Sequence, residues 1–323
     1  MKPHLLNRMQ MGFTLLELMI ALALGLIISA AALQLFLTSQ RSITTQQALS
    51  DIQNDSLFGL ESITRDIRLA NLNAAQPYVD DSVLHGGIVL NGRNYSSKRL
   101  AAPKQNEADI TLTTTELSAS NQGPSNLNGL KSDQLVIQYR NILDSQFDCE
   151  GNGLSKDVYV VERYFLREDT NRNEPNKALA LACKSMVYTG DTPAKIDLSG
   201  KGQIIIPRVD HFSVMLLVAQ DERNNTCTAS ASKDGNMDCF GYMNIQDYMK
   251  LTAVTKPQIV AVKIGLLIRS INTVGQNKFF NKDTSYQILQ TNGKLTEDDK
   301  NKLYIRKVIT QTIALRNGFG IAQ

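Results

Sequence analysis

The sequence predicts an α+β protein: one long N-terminal helix followed by antiparallel strands joined by long polar loops. Three observations carry the prediction. Phe13 to Leu37 is a run of 25 residues whose only charge is Glu17. Helical periodicity then continues to about Leu72, with no proline between Phe13 and Asn73. Beyond that point short β-branched and aromatic runs alternate with polar stretches.

At the α-helical rise, Phe13–Leu37 reaches about 38 Å, more than the roughly 30 Å hydrocarbon core of a bilayer. Lys2, Arg8 and His4 precede it. The positive-inside bias therefore keeps the N-terminus cytoplasmic and sends the rest of the chain across the membrane. Glu17 is the anomaly, since a carboxylate near a bilayer centre costs about 2.5–3.5 kcal/mol on insertion scales. A secretory signal peptide cut after Ala32, or a plain signal anchor, would account for the apolar run. Neither explains Glu17.

Past the apolar run, Leu49, Ile52, Leu60, Ile63, Ile67 and Ala70 recur at helical spacing, apart from one gap at Ser56. The expected helix runs from about Phe13 to Leu72, near 90 Å if unbroken, and its second half should lie against a sheet. Gly25 and Gly59 are its weak points, and Glu61 with Arg65 forms a supporting pair.

The expected strands are Asp109–Thr113, Gln134–Tyr139, Val158–Leu166, Ala178–Tyr188, His211–Ala219, Ile259–Arg269, Ser285–Leu289 and Lys302–Leu315. In "IVAVKIGLL", Lys263 marks one wet position in a central strand. Strands in succession beside one helix give the α+β class. The polar stretches 114–132, 141–156, 189–201, 221–238 and 273–283 are longer than a small sheet needs. They either pack as surface excursions or carry contacts with partners. No internal repeat is present.

The formal charge is +3, and without the first twelve residues it is +1. That balance excludes a strongly basic nucleic-acid binder and an acidic tail. Cys149, Cys183, Cys227 and Cys239 are the four cysteines. Beyond an export segment an even count reads as two disulfides. Of three connectivities, Cys149–Cys183 with Cys227–Cys239 is expected, because the second pair brackets a polar loop that needs a clasp. Unpaired buried thiols are the alternative.

Catalytic and metal signatures are weak. Asp169, Asn171 and Asn173 have calcium-loop spacing, but Glu174 replaces the glycine and Ala180 the final glutamate. "DGNMD" at 234–238 is explained by an Asp-Gly turn. His85 and His211 are expected to be surface or structural histidines. No G-x-S-x-G, P-loop or G-x-G-x-x-G occurs. No enzyme, cofactor or metal is expected.

The segment "GFTLLELMIALALGLI", residues 12–27, resembles the type IV prepilin signature. The resemblance implies a leader, residues 1–12, cut by a membrane prepilin peptidase between Gly12 and Phe13. Phe13 would then be N-methylated, and Glu17 would stand fifth in the mature chain. A neighbouring subunit's Phe13 amine could offset the desolvation of Glu17, a pairing that would fix register more than it adds stability. Four further blocks, "ITRDIRLA" (63–70), "SDQLVIQYR" (132–140), "VAVKIGLLIRS" (260–270) and "YIRKVITQTIALRNG" (304–318), resemble the PilW family of minor pilins. That family is related to the J-class pseudopilins of type II secretion.

The resemblance implies a pilin-like fold. Residues 13–37 would form the transmembrane and filament-core helix, 38–72 its amphipathic continuation, and 73–323 a periplasmic β-rich domain. It also implies a structural subunit that primes pilus assembly at or near the tip. The implied partners are other minor pilins, the major pilin and a large tip adhesin. A J-class pseudopilin is the nearest alternative, and the chain's length favours the pilus. Two departures stand out. Asn71, Asn73 and Ala74 occupy a region where relatives often carry Gly-Gly or Gly-Cys, and Gln34 stands where major pilins commonly have a proline. A tip subunit that binds DNA or a surface ligand directly is a further alternative, its DNA arm resting on a small basic patch. That patch is Arg93, Lys98 and Arg99 beside Tyr95, which a solvated turn also explains.

Overall fold

The computed structural model describes residues 12–96, 112–170, 178–190, 193, 195–221, 237, 239–252, 256–274, 284–300, 302–318 and 320. The chain divides into two units, Met1–Gln47 and Ala48–Gln323. A single helix, α1 (Leu15–Leu69), supplies the described part of the first unit and enters the second.

In the first unit every described side chain up to Thr44 is exposed. Leucine, isoleucine, alanine and methionine cover all sides of the helix there, so no face is distinguished. Gln34 sits inside the continuous helix, and no break occurs at Gly25.

In the second unit α1 has one buried face: Ala48, Ile52, Ser56, Gly59, Leu60, Ile63, Thr64, Asp66 and Ile67. Ser56 fills the gap in the apolar spacing, and its hydroxyl donates to the Gln53 carbonyl (2.9 Å). The buried face begins at Ala48, whereas Leu49 is exposed. Gly59 is a contact point rather than a weak point: a Cβ there would lie 2.1 Å from Ile206 Cγ1. Arg65 bonds its neighbour Asp66 (3.1 Å) rather than the expected Glu61.

The strands are β1 (Ala119–Gly123), β2 (Ser132–Asn141), β3 (Gln146–Phe147), β4 (Gly153–Leu154), β5 (Val158–Glu168), β6 (Leu179–Tyr188) and β7 (Gln203–Ile206). They are followed by β8 (Val209–Gln220), β9 (Cys239–Asn244), the short helix α2 (Ile245–Lys250) and β10 (Gln258–Thr273). The chain then forms β11 (Ser285–Ile288), β12 (Thr291–Lys294), α3 (Glu297–Lys300) and β13 (Tyr304–Ala314). One sheet has the order β1-β2-β5-β6-β7 and another β13-β10-β8-β9. All the pairings are antiparallel, for example Leu135↔Tyr164, Tyr164↔Cys183, Ile264↔Val214 and Ile264↔Gln311. Of the expected strands, all but Asp109–Thr113 are present within a few residues of their expected ends. Residues 109–111 lie outside the described residues. Thr113 instead caps a 3-10 turn, its side chain accepting from the Thr115 amide.

Two short hairpins, β3-β4 and β11-β12, complete the strands. The sequence did not reveal that the longer strands divide between two separate sheets. Between β7 and β8 lie only Pro207 and Arg208, and Arg208 has φ 56°. Proline and a left-handed residue break the ladder, so β7 pairs with β6 while β8 turns away to pair with β10. Arg208, buried at the switch, forms an ion pair with Asp55 on α1. Two side chains on β2 link the sheets: Ser132 Oγ accepts from the Phe212 amide (3.2 Å) and Asp133 Oδ2 from the Val214 amide (2.7 Å). One hydrophobic core joins Ile52, Ile63 and Ile67 of α1 to Leu135, Leu181, Ile206, Val214, Val262 and Ile264.

Candidate functional site

The residues singled out by the sequence fall into two groups, one at the start of α1 and one in the second unit. At the start, Thr14 and Glu17 form a reciprocal cap. Glu17 Oε2 accepts from the Thr14 amide and from the Thr14 hydroxyl, both at 3.0 Å. Thr14 Oγ1 in turn accepts from the Glu17 amide (3.2 Å). This is a capping box, in which two otherwise orphaned amide donors of the first helical turn are satisfied. The carboxylate also lies at the positive end of the helix macrodipole. Glu17 therefore has a role within its own chain. "TLLE" carries the T-x-x-E spacing in plain view, a capping signal hidden behind the same glutamate's place in the prepilin signature.

Phe13 and Gly12 precede the cap and are exposed. α1 is long and apolar enough to cross a membrane by length and composition.

The end of α1 is anchored by asparagines rather than by a disulfide. Asn71 takes the left-handed conformation, φ 64°, which ends the helix. Its amide donates to the Gln138 carbonyl (3.0 Å), and its side chain donates to the Asn317 (2.8 Å) and Gln76 (3.0 Å) carbonyls. Asn317 Nδ2 reaches back to the carbonyls of Arg68 (3.1 Å), Leu69 (3.5 Å) and Ala70 (3.2 Å). The last turn is thus tied to the turn that follows β13. Gly87 allows the close approach, since a Cβ there would lie 2.4 Å from the Asn71 amide nitrogen. No spacing rule could have paired positions 71 and 317.

Cys149 and Cys183 are joined by a disulfide, with 6.1 Å between their Cα atoms. It fastens the β2–β5 connection to β6. Asp148 shapes that connection by accepting from the Glu150 (3.0 Å) and Asn152 (2.8 Å) amides, and Glu150 pairs with Lys184 (2.9 Å). Cys239 is also disulfide-bonded, and its expected partner Cys227 lies outside the described residues.

The remaining candidates are structural or undescribed. His85 stacks on Tyr159 with ring centroids 4.0 Å apart, and its Nδ1 lies 2.8 Å from the Tyr188 hydroxyl. His211 is buried with Nδ1 2.9 Å from Ser125 Oγ, and burial pulls its pKa down to about 4. Tyr95 corrects the nucleic-acid patch. It is 1% exposed, with its hydroxyl donating to the Glu116 carbonyl (2.8 Å), so no base can stack on it. Lys98 and Arg99 lie outside the described residues, as do Asn171 and Asn173 of the first calcium-like run and most of 234–238. Lys263 is half-buried, its ammonium 5.0 Å from the Tyr242 ring centre.

An apolar helix opening on Phe13 with a carboxylate four residues on, continuing into a body of antiparallel sheets, defines a type IV pilin-like protein. Residues 7–33 match the prokaryotic N-terminal methylation motif, and residues 163–317 match the family of type IV pilus-assembly protein W. These two matches support a type IV minor pilin of the PilW kind. A type IV-like pilin from Thermus thermophilus is similar in structure, at 12% identity and a TM-score of 0.39, over 82% of this chain and 95% of that one. No curated protein matches the chain.

Proposed function

We propose that the chain is a minor pilin that primes type IV pilus assembly and sits at or near the filament tip. The leader, residues 1–12, is removed by a prepilin peptidase at Gly12–Phe13, and Phe13 is N-methylated. Before assembly the protein rests in the bacterial inner membrane, N-terminus cytoplasmic and body periplasmic. Residues 13–37 first anchor it and then pack among other pilin helices, while 38–72 and 73–323 form the amphipathic continuation and the partner-selecting domain. Its partners are other minor pilins, the major pilin and a large tip adhesin.

The observation that carries this reading is the apolar half of α1, exposed on every side and overlapping the methylation motif at residues 7–33. Burying leucine and isoleucine side chains is worth about 25 cal/mol per Å², and nothing in the first unit's described residues takes up that surface. Glu17 adds a second function on assembly: freed from competition with water, its capped carboxylate meets the Phe13 amine of an adjoining subunit. Glu17→Ala should leave membrane insertion intact and cut incorporation into filaments; incorporation at the wild-type level would refute the pairing. Deletion of the chain should abolish twitching and spare type II secretion. The reverse outcome would assign it to the J-class pseudopilins.

A further inference from the structure

One acid in the second unit is unused by the assembly reading. Glu162 on β5 is 0% exposed. Its Oε1 accepts from the Cys149 amide (2.9 Å) and the Tyr139 hydroxyl (3.4 Å). Its Oε2 lies 3.2 Å from the Tyr164 hydroxyl, which lies 2.9 Å from Asp66 Oδ2 on α1.

A phenol has one proton to give. Asp66 also accepts from Arg65 (3.1 Å) and is the better-compensated carboxylate, so the Tyr164 proton goes to Asp66. The Tyr164 oxygen then faces Glu162 Oε2 as an acceptor, and the hydrogen between them must come from Glu162. We propose that Glu162 is a neutral carboxylic acid at neutral pH, and that its proton latches the 142–157 connection to the end of α1. The chain of contacts runs from the Cys149 amide through Glu162 and Tyr164 to Asp66.

Burial and the neighbouring acids favour the neutral form, against the bonds with the Cys149 amide and the Tyr164 hydroxyl, which favour the charged one. α1 contributes Asp66 and Arg65, β2 contributes Tyr139, β5 contributes Tyr164, and the 142–157 connection contributes Asp148. The nearby Lys184 is engaged with Glu150 (2.9 Å). Burial first, and the Asp66 charge second, push Glu162 up to about 8, with the Asp148 charge adding to them. Asp66 is itself raised, chiefly by burial. An acid raised in the folded state contributes stability that is complete below its ordinary value of 4.5 and is lost as pH rises through about 8. Above that, a charge would be left in a dry site among two other carboxyl groups. The strap covers the helix end, with Leu154 packing beside Tyr139, Val158, Leu69 and Leu72, so the proton controls how firmly that end is held.

The test is hydrogen exchange on the full chain in detergent micelles, read as protection factors corrected for intrinsic rates. Between about pH 6 and pH 9, amides of 142–157 in the wild type should lose about a hundredfold in protection, the two pH units between pH 6 and the folded value of about 8. Glu162→Gln, which keeps a hydrogen-bonding neutral group, should show the same protection at both pH values. A parallel loss in both proteins, or none in the wild type, overturns the proposal. Should the variant not fold, infrared spectroscopy of wild-type chain with isotope-labelled glutamate decides. A protonated glutamic acid carbonyl band present at pH 7 and gone by about pH 9 supports the latch. Its absence at pH 7 overturns it.

Discussion

The two halves of α1 share one helix and differ in what holds them. Up to Thr44 the described side chains are exposed, and from Phe13 to Leu37 they are predominantly apolar on all sides, with Glu17 the only charge in that run. From Ala48 onward one face is buried against two sheets, while Leu57 and Phe58 on the opposite face remain open, at 66% and 77% exposure. A helix that is hydrophobic all round needs a lipid or protein environment from outside, whereas an amphipathic one is completed by its own chain. The first half therefore keeps its apolar surface for surroundings outside its own fold, and the second half spends its apolar face on folding.

The largest effects should separate the halves. Ile63 is 1% exposed in the core, and Ile63→Ala should cost about 2–5 kcal/mol. Leu24, 55% exposed in the first unit, should leave the thermal midpoint of the second unit unchanged when replaced by alanine, within about 0.5 kcal/mol. Thermal unfolding in detergent would read both, and equal losses would erase the distinction between the halves.

Next in size is the disulfide. Cys149 and Cys183 close a loop with a separation of 34 residues, so replacing both with serine should cost about 3–4 kcal/mol on the chain-entropy account. Chemical denaturation with and without the pair would measure it. The loss should fall on the second unit alone.

A smaller loss follows from the helix end. Asn317→Ala removes the donor shared by the Arg68 and Ala70 carbonyls and should cost about 1–2 kcal/mol. It should also raise hydrogen exchange selectively in the last turn of α1. The smallest expected change is at Gly59. Alanine gains about 1 kcal/mol of helix propensity but places a Cβ against Ile206, a strain of about 1–3 kcal/mol. Gly59→Ala should thus be mildly destabilising, and Ile206→Val in the same chain should relieve part of the loss.

These contrasts also explain what the sequence revealed. α1 was legible because both hydrophobicity and period 3.6 are local signals. β2, β5, β6, β8, β10 and β13 announced themselves through runs such as "LVIQYR" and "VYVVERYFL". The edge strands β1 ("ASNQG"), β9 ("CFGYMN") and β12 ("TNGK") carry no alternation, because a strand flanked on one side has less surface to bury. The division into two sheets depended on the backbone angle of Arg208, which no residue pattern fixes. Asn71 and Asn317 meet only after folding, and Tyr95 looked surface-bound because its polar neighbours hid the buried Glu116 carbonyl it reaches. At the N-terminus the letters were sufficient. Thr14 and Glu17 spell a cap as clearly as they spell a processing motif.

The central claim is that the first half of α1 is released at its start for assembly. Mass analysis of the N-terminal peptide of the protein from bacterial membranes tests it most directly. The account predicts a chain beginning at Phe13 with one added methyl group. A chain that retains residues 1–12, or begins at Leu33 after cleavage behind Ala32, would contradict it.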